Sequence, residues 1–191
     1  MCSFVRNTVA VLTLACSFVA HSAKASDTEH AWDIWHQPDV HALMRHAIAP
    51  GTGDPENFTI GDCSTQRNLD ETGRNQARAI GERVREAGIA LDVILSSQWC
   101  RCLETASLLG LGPVTEEPAL NSFFRDSGTK KTQTDQIIDR LGALPEGIKA
   151  LLITHQVNIT ALTGIYPRSG EIILIRVDEN NTVEMLARLM P

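Results

Sequence analysis

The chain has 191 residues, 43% of them hydrophobic, with 17 Lys and Arg against 23 Asp and Glu for a net charge of −6. That is room for one domain, or one domain and a leader, with an ordinary core and no low-complexity tract that would prevent folding. The acidic balance excludes broad polyanion binding, because no basic face is left to displace the counterions of a nucleic acid.

Residues 1–25 read as a secretory leader. Arg6 supplies the positive start, Val9 to Ala20 is apolar apart from Thr13 and Ser17, and Ala23-Lys24-Ala25 has the small-x-small spacing cut before Ser26. The apolar stretch is short for a bilayer span, and Thr13-Leu14-Ala15 is a poor setting for lipidation of Cys16. Export to a periplasmic or secreted location is therefore expected, with no stable membrane insertion after cleavage. Cleavage removes Arg6 and Lys24 and no acid, so 17 cations fall to 15 against 23 acids, a net −8. Positive charge is then expected in one pocket. Cys63, Cys100 and Cys102 survive processing; an oxidising compartment allows one disulfide and leaves one thiol, and Cys63–Cys100 is favoured over Cys63–Cys102. No tetrad has the spacing of a zinc site.

One domain is expected over 26–191, opening with an arm, 26–38, that packs through Trp32 and Trp35. A strand over 40–46 precedes a loop reaching 69, punctuated by Pro50, Gly51, Gly53, Pro55 and Gly61; loops of this length in compact domains are commonly functional covers. Asp70 or Thr72 can cap a helix over 72–88, with Ala77, Ile80, Val84 and Ala87 on one face. Leu91 to Leu95 reads as a buried strand ending at Ser96-Ser97, followed by a helix over 99–109 and an extended piece over 114–120. Thr132 or Thr134 begins a helix to Leu141, Lys149–Thr154 is a third apolar strand, and 156–162 is helical. Glu171–Val177 and Thr182–Leu189 form a closing antiparallel pair. Strands alternating with helices imply an α/β three-layer sandwich: a central, mostly parallel mixed sheet covered by helices on both faces.

Three strand ends carry matching chemistry. Arg45-His46 closes the first strand, Arg101 lies in the first turn of the helix after the second, and His155 follows the third. Carboxyl ends of parallel strands converge on one crevice, so two imidazoles and two guanidiniums would meet around one small anion. An imidazole can attack phosphorus while guanidiniums hold the phosphoryl oxygens.

These segments resemble the histidine phosphatase superfamily, also called phosphoglycerate mutase-like. The matching stretches are Arg45-His46-Ala47, Leu69 to Ala77, Ser96-Ser97 through Arg101 to Glu104-Thr105-Ala106, and Thr154-His155. The resemblance implies that His46 is the nucleophile of a phosphohistidine intermediate that water later hydrolyses. Arg45, Arg101 and His155 would form the phosphate pocket, with His155, when protonated, as a further donor; neither metal nor cofactor is implied. Glu104 reads as a structural partner, and Gly73 and Gln76 as serving helix start and packing. Where many relatives have glycine after the Arg-His pair, this chain has Ala47. One branch carries a glutamate after the segment equivalent to Pro118-Ala119-Leu120, where Asn121-Ser122-Phe123-Phe124 stands; the other has an aspartate at Gln156. Asp126, Asp54 and Glu56 are therefore the candidates for the general acid. The expected function is an exported phosphatase acting on a small phosphorylated substrate, a cell-envelope phosphosugar in a small periplasmic branch. The alternatives are a non-catalytic phosphate-binding module of the same fold and a protein phosphohistidine phosphatase.

Overall fold

A computed structural model describes residues 29–191; the expected leader, 1–25, lies outside them. Residues 29–36 form helix α1, so the expected arm is helical, and Trp32 and Trp35 stack with ring centroids 5.8 Å apart. Six strands form one sheet: β1 (His41–Arg45), β2 (Val93–Ser96), β3 (Val114–Glu116), β4 (Ala150–Thr154), β5 (Ile172–Val177) and β6 (Val183–Leu189), in the order β3-β2-β4-β1-β5-β6. The four strands β3, β2, β4 and β1 are mutually parallel, and β5 and β6 add antiparallel at one edge. The longer helices are α2 (Glu71–Glu86), α3 (Cys100–Leu109), α4 (Lys130–Gly142) and α5 (Gln156–Thr163).

Alternation along the central strands sorts the core into two faces, as the period of two requires. Met44, Ile94, Leu151 and Ile153 join Trp35, Ile80, Val84 and Leu109 beneath α1, α2 and α3. Leu43, Leu95 and Leu152 join Ile137, Leu141 and Ile159 beneath α4 and α5. Both faces are apolar and covered, which is why the central strands read as continuous hydrophobic runs.

Two boundaries differ from expectation for local reasons. The extended piece 114–120 divides at Pro118, where a 3-10 turn over Pro118–Leu120 replaces the strand; proline has no N–H to give to a ladder. Helix α4 begins at Lys130, ahead of Thr132, because a 3-10 turn over Ser127–Thr129 runs directly into it. Asp126 caps that turn, its carboxylate accepting from the Gly128 N–H at 2.9 Å. Helix α2 starts as expected, with Asp70 accepting from the Gly73 N–H at 2.8 Å. Its first turn crosses the chain just after β1 so closely that a Cβ on Gly73 would lie 1.9 Å from the Ile48 carbonyl oxygen. Only glycine admits that approach.

Candidate active site

The register of the parallel strands brings the chemistry together. Arg45 pairs with Thr154 across β1 and β4, and Ser96 with Ile153 across β2 and β4, so His46 and His155 follow side by side at the carboxyl edge, with Ser97 one step earlier beside Thr154. His46 and His155 each sit two residues beyond a side chain of the α3-side core, Met44 and Ile153 respectively. Both imidazoles thereby face α3, which carries Arg101, and their ring centroids are 5.6 Å apart. Thr105, one turn beyond Arg101, accepts from the Ala47 N–H at 3.1 Å and donates to the Arg101 carbonyl at 2.6 Å, tying the end of β1 to α3. On the far side of Ala47, the Ile48 N–H donates to Gln76 Oε1, and Gln76 Nε2 donates to the Ser169 carbonyl. Gln76 therefore positions the chain leaving His46, a role beyond helix start and packing.

The hydrogen bonds fix the proton positions. A guanidinium only donates, so Arg101 Nε–H, 3.2 Å from His46 Nε2, finds a lone pair there. The His46 proton lies on Nδ1 and is held by the Ala47 carbonyl at 2.7 Å. Burial first, then the Arg101 charge, pull the His46 pKa down to about 3, against the Ala47 bond, so the ring is neutral with Nε2 facing the cavity. Arg101 Nη2 donates likewise to His155 Nδ1 at 3.3 Å, leaving the His155 proton on Nε2, which donates to Ser97 Oγ at 2.9 Å. Ser97 in turn donates to Asn121 Oδ1. Burial, Arg101 and His46 all push the His155 pKa well below its ordinary value. His155 is thus neutral, with its proton directed at Ser97 and away from the hollow.

Arg101 is 2% exposed and gripped by Asp54: Nη1 to Oδ1 at 2.6 Å and Nη2 to Oδ2 at 3.2 Å. Asp54 also accepts from Trp99 Nε1 at 3.0 Å and the Arg67 N–H at 3.2 Å. Burial raises its carboxyl, but these four donors and the Arg101 charge outweigh that and hold it below the usual carboxylate range. Asp54 is therefore an ionised partner that orients Arg101, which corrects its candidacy as proton donor. Glu56 is corrected too: it is exposed and does not line the cavity. Asp126 does line it, at the exposed rim, with one oxygen committed to Gly128. Glu104 pairs with Arg74 Nε at 2.6 Å, well away from the hollow.

Sequence reasoning missed Arg67. The covering loop carries it into the cavity, its Nε donating to the Gly53 carbonyl at 2.8 Å and Nη1 to that of Ala49. It is the lone Lys or Arg in residues 47–69, and that isolation within an otherwise acidic loop was the available signal. The loop is fastened to the start of α3 by the Cys63–Cys100 disulfide, with Cα atoms 5.7 Å apart, and by the Cys100 N–H donating to Gln66 Oε1 at 2.9 Å. Among the described residues Cys102 is the free thiol, fully buried, and burial pushes it up to about 12. Arg45 donates to the Pro167 carbonyl at 2.9 Å, while its Nε, buried, has no partner.

Four arginines (Arg45, Arg67, Arg101 and, nearer the rim, Arg125), the carboxylates of Asp54 and Asp126 and two imidazoles thus surround a cavity of about 380 Å³. Their local charge of +2 matches a phosphomonoester dianion at neutral pH, and the unpartnered Arg45 donor is a place for one of its oxygens. Among the described residues no three His, Cys, Asp or Glu side chains gather as a metal ligand set would require.

Known proteins share a stretch of this sequence and this fold. Residues 42–135 match the histidine phosphatase superfamily (branch 1). Over 65 residues, 34% of the chain, it is 37% identical to the mitochondrial serine/threonine-protein phosphatase Pgam5 of Drosophila virilis. That stretch spans only 22% of the relative's length. Among solved structures, YhfR of Bacillus stearothermophilus superposes with a TM-score of 0.60 at 16% identity, covering 78% of this chain and 95% of that one. The protein histidine phosphatase SixA complexed with tungstate gives 0.52 at 16% identity, covering 80% and 97%.

Proposed function

We propose that the chain, whose residues 42–135 match the histidine phosphatase superfamily (branch 1), is a phosphatase of that family hydrolysing a small phosphomonoester through a phosphohistidine on His46. The observation that carries this reading is the hydrogen bonding of His46: Nδ1 is held by the Ala47 carbonyl and Nε2 accepts from Arg101 Nε, so a lone pair faces a hollow of local charge +2. The substrate phosphoryl group displaces the two imidazoles from Arg101 and takes its Nε and Nη2 donors, while Asp54 keeps the guanidinium in orientation. Nε2 then attacks phosphorus in line with the departing oxygen. The Nε2–P bond forms from the imidazole lone pair as the P–O bond breaks with its electrons going to oxygen. Nδ1–H stays on the Ala47 carbonyl, which stabilises the positive charge the ring acquires. Arg45, Arg67 and Arg101 neutralise the equatorial oxygens of a loose transition state. They supply by hydrogen bonding the charge that a metal gives elsewhere, so turnover is expected to survive a strong chelator. Water then attacks the phosphohistidine and releases inorganic phosphate.

Export belongs to the same proposal. The leader read over 1–25 would deliver the protein to an oxidising compartment, where a bond such as Cys63–Cys100 persists. The substrate classes brought by the resemblance are an envelope phosphosugar and, as with SixA, a phosphohistidine protein. A second reading, a phosphate-binding module without turnover, is favoured by one observation: Asp54 spends both oxygens on Arg101, and Asp126 stands at the rim with one oxygen on the Gly128 N–H. Pre-steady-state hydrolysis of an aryl phosphate separates the two. The phosphatase reading requires a burst of phenol near one equivalent of enzyme followed by steady turnover; the binding module gives neither.

A further inference from the structure

The walls above the phosphate hollow are aromatic. Phe58 stacks on Trp99 with centroids 4.7 Å apart and planes 24° from parallel, and Trp99 meets the His155 ring edge-on at 5.3 Å. Phe123 and Phe124 line the same cavity from the segment after the Pro118–Leu120 turn; Phe124 lies 60% exposed at its mouth. That segment is held against the covering loop by Arg125 Nη2, which donates to the Pro55 carbonyl at 2.7 Å. A phenylalanine so exposed, with its neighbours forming an apolar slot over three arginines, is placed to take the non-phosphate part of a substrate.

The proton inventory of the same cavity limits what can leave. Asp54 is ionised on Arg101, the His155 proton points at Ser97, and the carboxylate of Asp126 caps Gly128 at the rim. An alcohol leaving without a proton departs as an alkoxide, whose conjugate acid is about as weak as water. A phenol leaves as a phenolate with a pKa of about 10. A positioned acid contributes roughly 10²–10⁴-fold to the departure of a poor leaving group, and a phenolate forgoes most of that help.

Resting on the phosphatase reading, we propose that the substrate is an aryl phosphate, a ring phosphorylated on a phenolic oxygen and held between the Phe58–Trp99 stack and Phe124. The phenolate carries away the P–O electron pair and takes its proton from water at the open mouth. The phosphosugar that the resemblance implied fits this cavity less well, because its alcohol needs an acid that the cavity does not provide.

Phenyl and cyclohexyl phosphate test this, since they share shape and differ in leaving group. The wild-type protein should hydrolyse phenyl phosphate with kcat/KM at least about 100-fold above cyclohexyl phosphate. Phe124→Ala, at an exposed position, should lower kcat/KM for phenyl phosphate by about 5-fold or more through KM, leaving inhibition by inorganic phosphate unchanged. Turnover of the cyclohexyl ester within about 3-fold of the phenyl ester overturns the proposal while leaving the phosphatase reading intact. So does a Phe124→Ala protein that handles phenyl phosphate as the wild type does. Turnover of neither ester would fall on the phosphatase reading itself.

Discussion

The hollow is built from two regions that reach it by different physics. The strand ends deliver Arg45, His46 and His155 from a ladder whose residues are almost fully buried; their places follow from register, and a slip would move every neighbour. The 47–69 loop delivers Asp54, Phe58 and Arg67 with no ladder. It is held by discrete ties: the Cys63–Cys100 bond, Gln66 to the Cys100 N–H, and Asp54 to Arg101 and Trp99. The difference teaches that the reacting group is placed by the sheet, whereas the groups that orient and select are placed by removable local contacts. Chemistry should therefore be brittle at the strand ends and graded in the loop.

The largest effect is expected at the strand end. His46→Ala should lower kcat by a factor on the order of 10⁴ or more with the thermal midpoint preserved, because the nucleophile has no substitute. Next is Arg101→Lys, which keeps the charge but loses the fork to Asp54 and the Nε donor. A fall in kcat/KM of about 10²–10³-fold is expected; an unchanged value would mean that charge alone matters. Arg67→Ala, in the loop, should cost less, about 10-fold and mostly in KM, since that guanidinium also spends donors on the Gly53 and Ala49 carbonyls. A loss as large as that of Arg101→Lys would erase the distinction between the regions. Cys63→Ser should lower stability to urea by about 3–4 kcal/mol and raise KM for phenyl phosphate, with kcat within about 3-fold. A collapse of kcat would show the loop to be part of the chemical step.

The pH dependence gives the smallest and sharpest contrast. His46 is held down to about 3 in the fold and His155 is also held well below its ordinary 6.5, whereas the unfolded chain protonates near 6.5. Below that pH the unfolded state binds protons that the folded state refuses, so stability falls as pH drops from 6.5 toward 3. Urea midpoints at pH 7 and pH 5 should show the decline, and His46→Gln should flatten part of it. Identical slopes would mean that the ring is not buried neutral.

What was legible in the sequence follows the same division. The apolar strand runs, ending in Arg45-His46, Ser96-Ser97 and Thr154-His155, announce both the parallel sheet and the gathering of site residues, because hydrophobic period is local and the carboxyl ends of parallel strands share one edge. The loop could not be read in that way. Asp54 looks like a free acid until the fold sets Arg101 and Trp99 on its two oxygens, and Arg67 is an ordinary cation until the loop turns it inward. The Cys63–Cys100 pairing, one of two open pairings in the sequence, is decided by which cysteine of α3 faces the loop and which, Cys102, is buried against His155.

Rapid acid-free quenching of the protein during aryl phosphate turnover, followed by peptide mapping of the trapped phosphoryl group, tests the central claim most directly. Phosphate on Nε2 of His46, with His155 unmodified, is the predicted result. Phosphate on His155, or continued turnover with no label on His46, would contradict it.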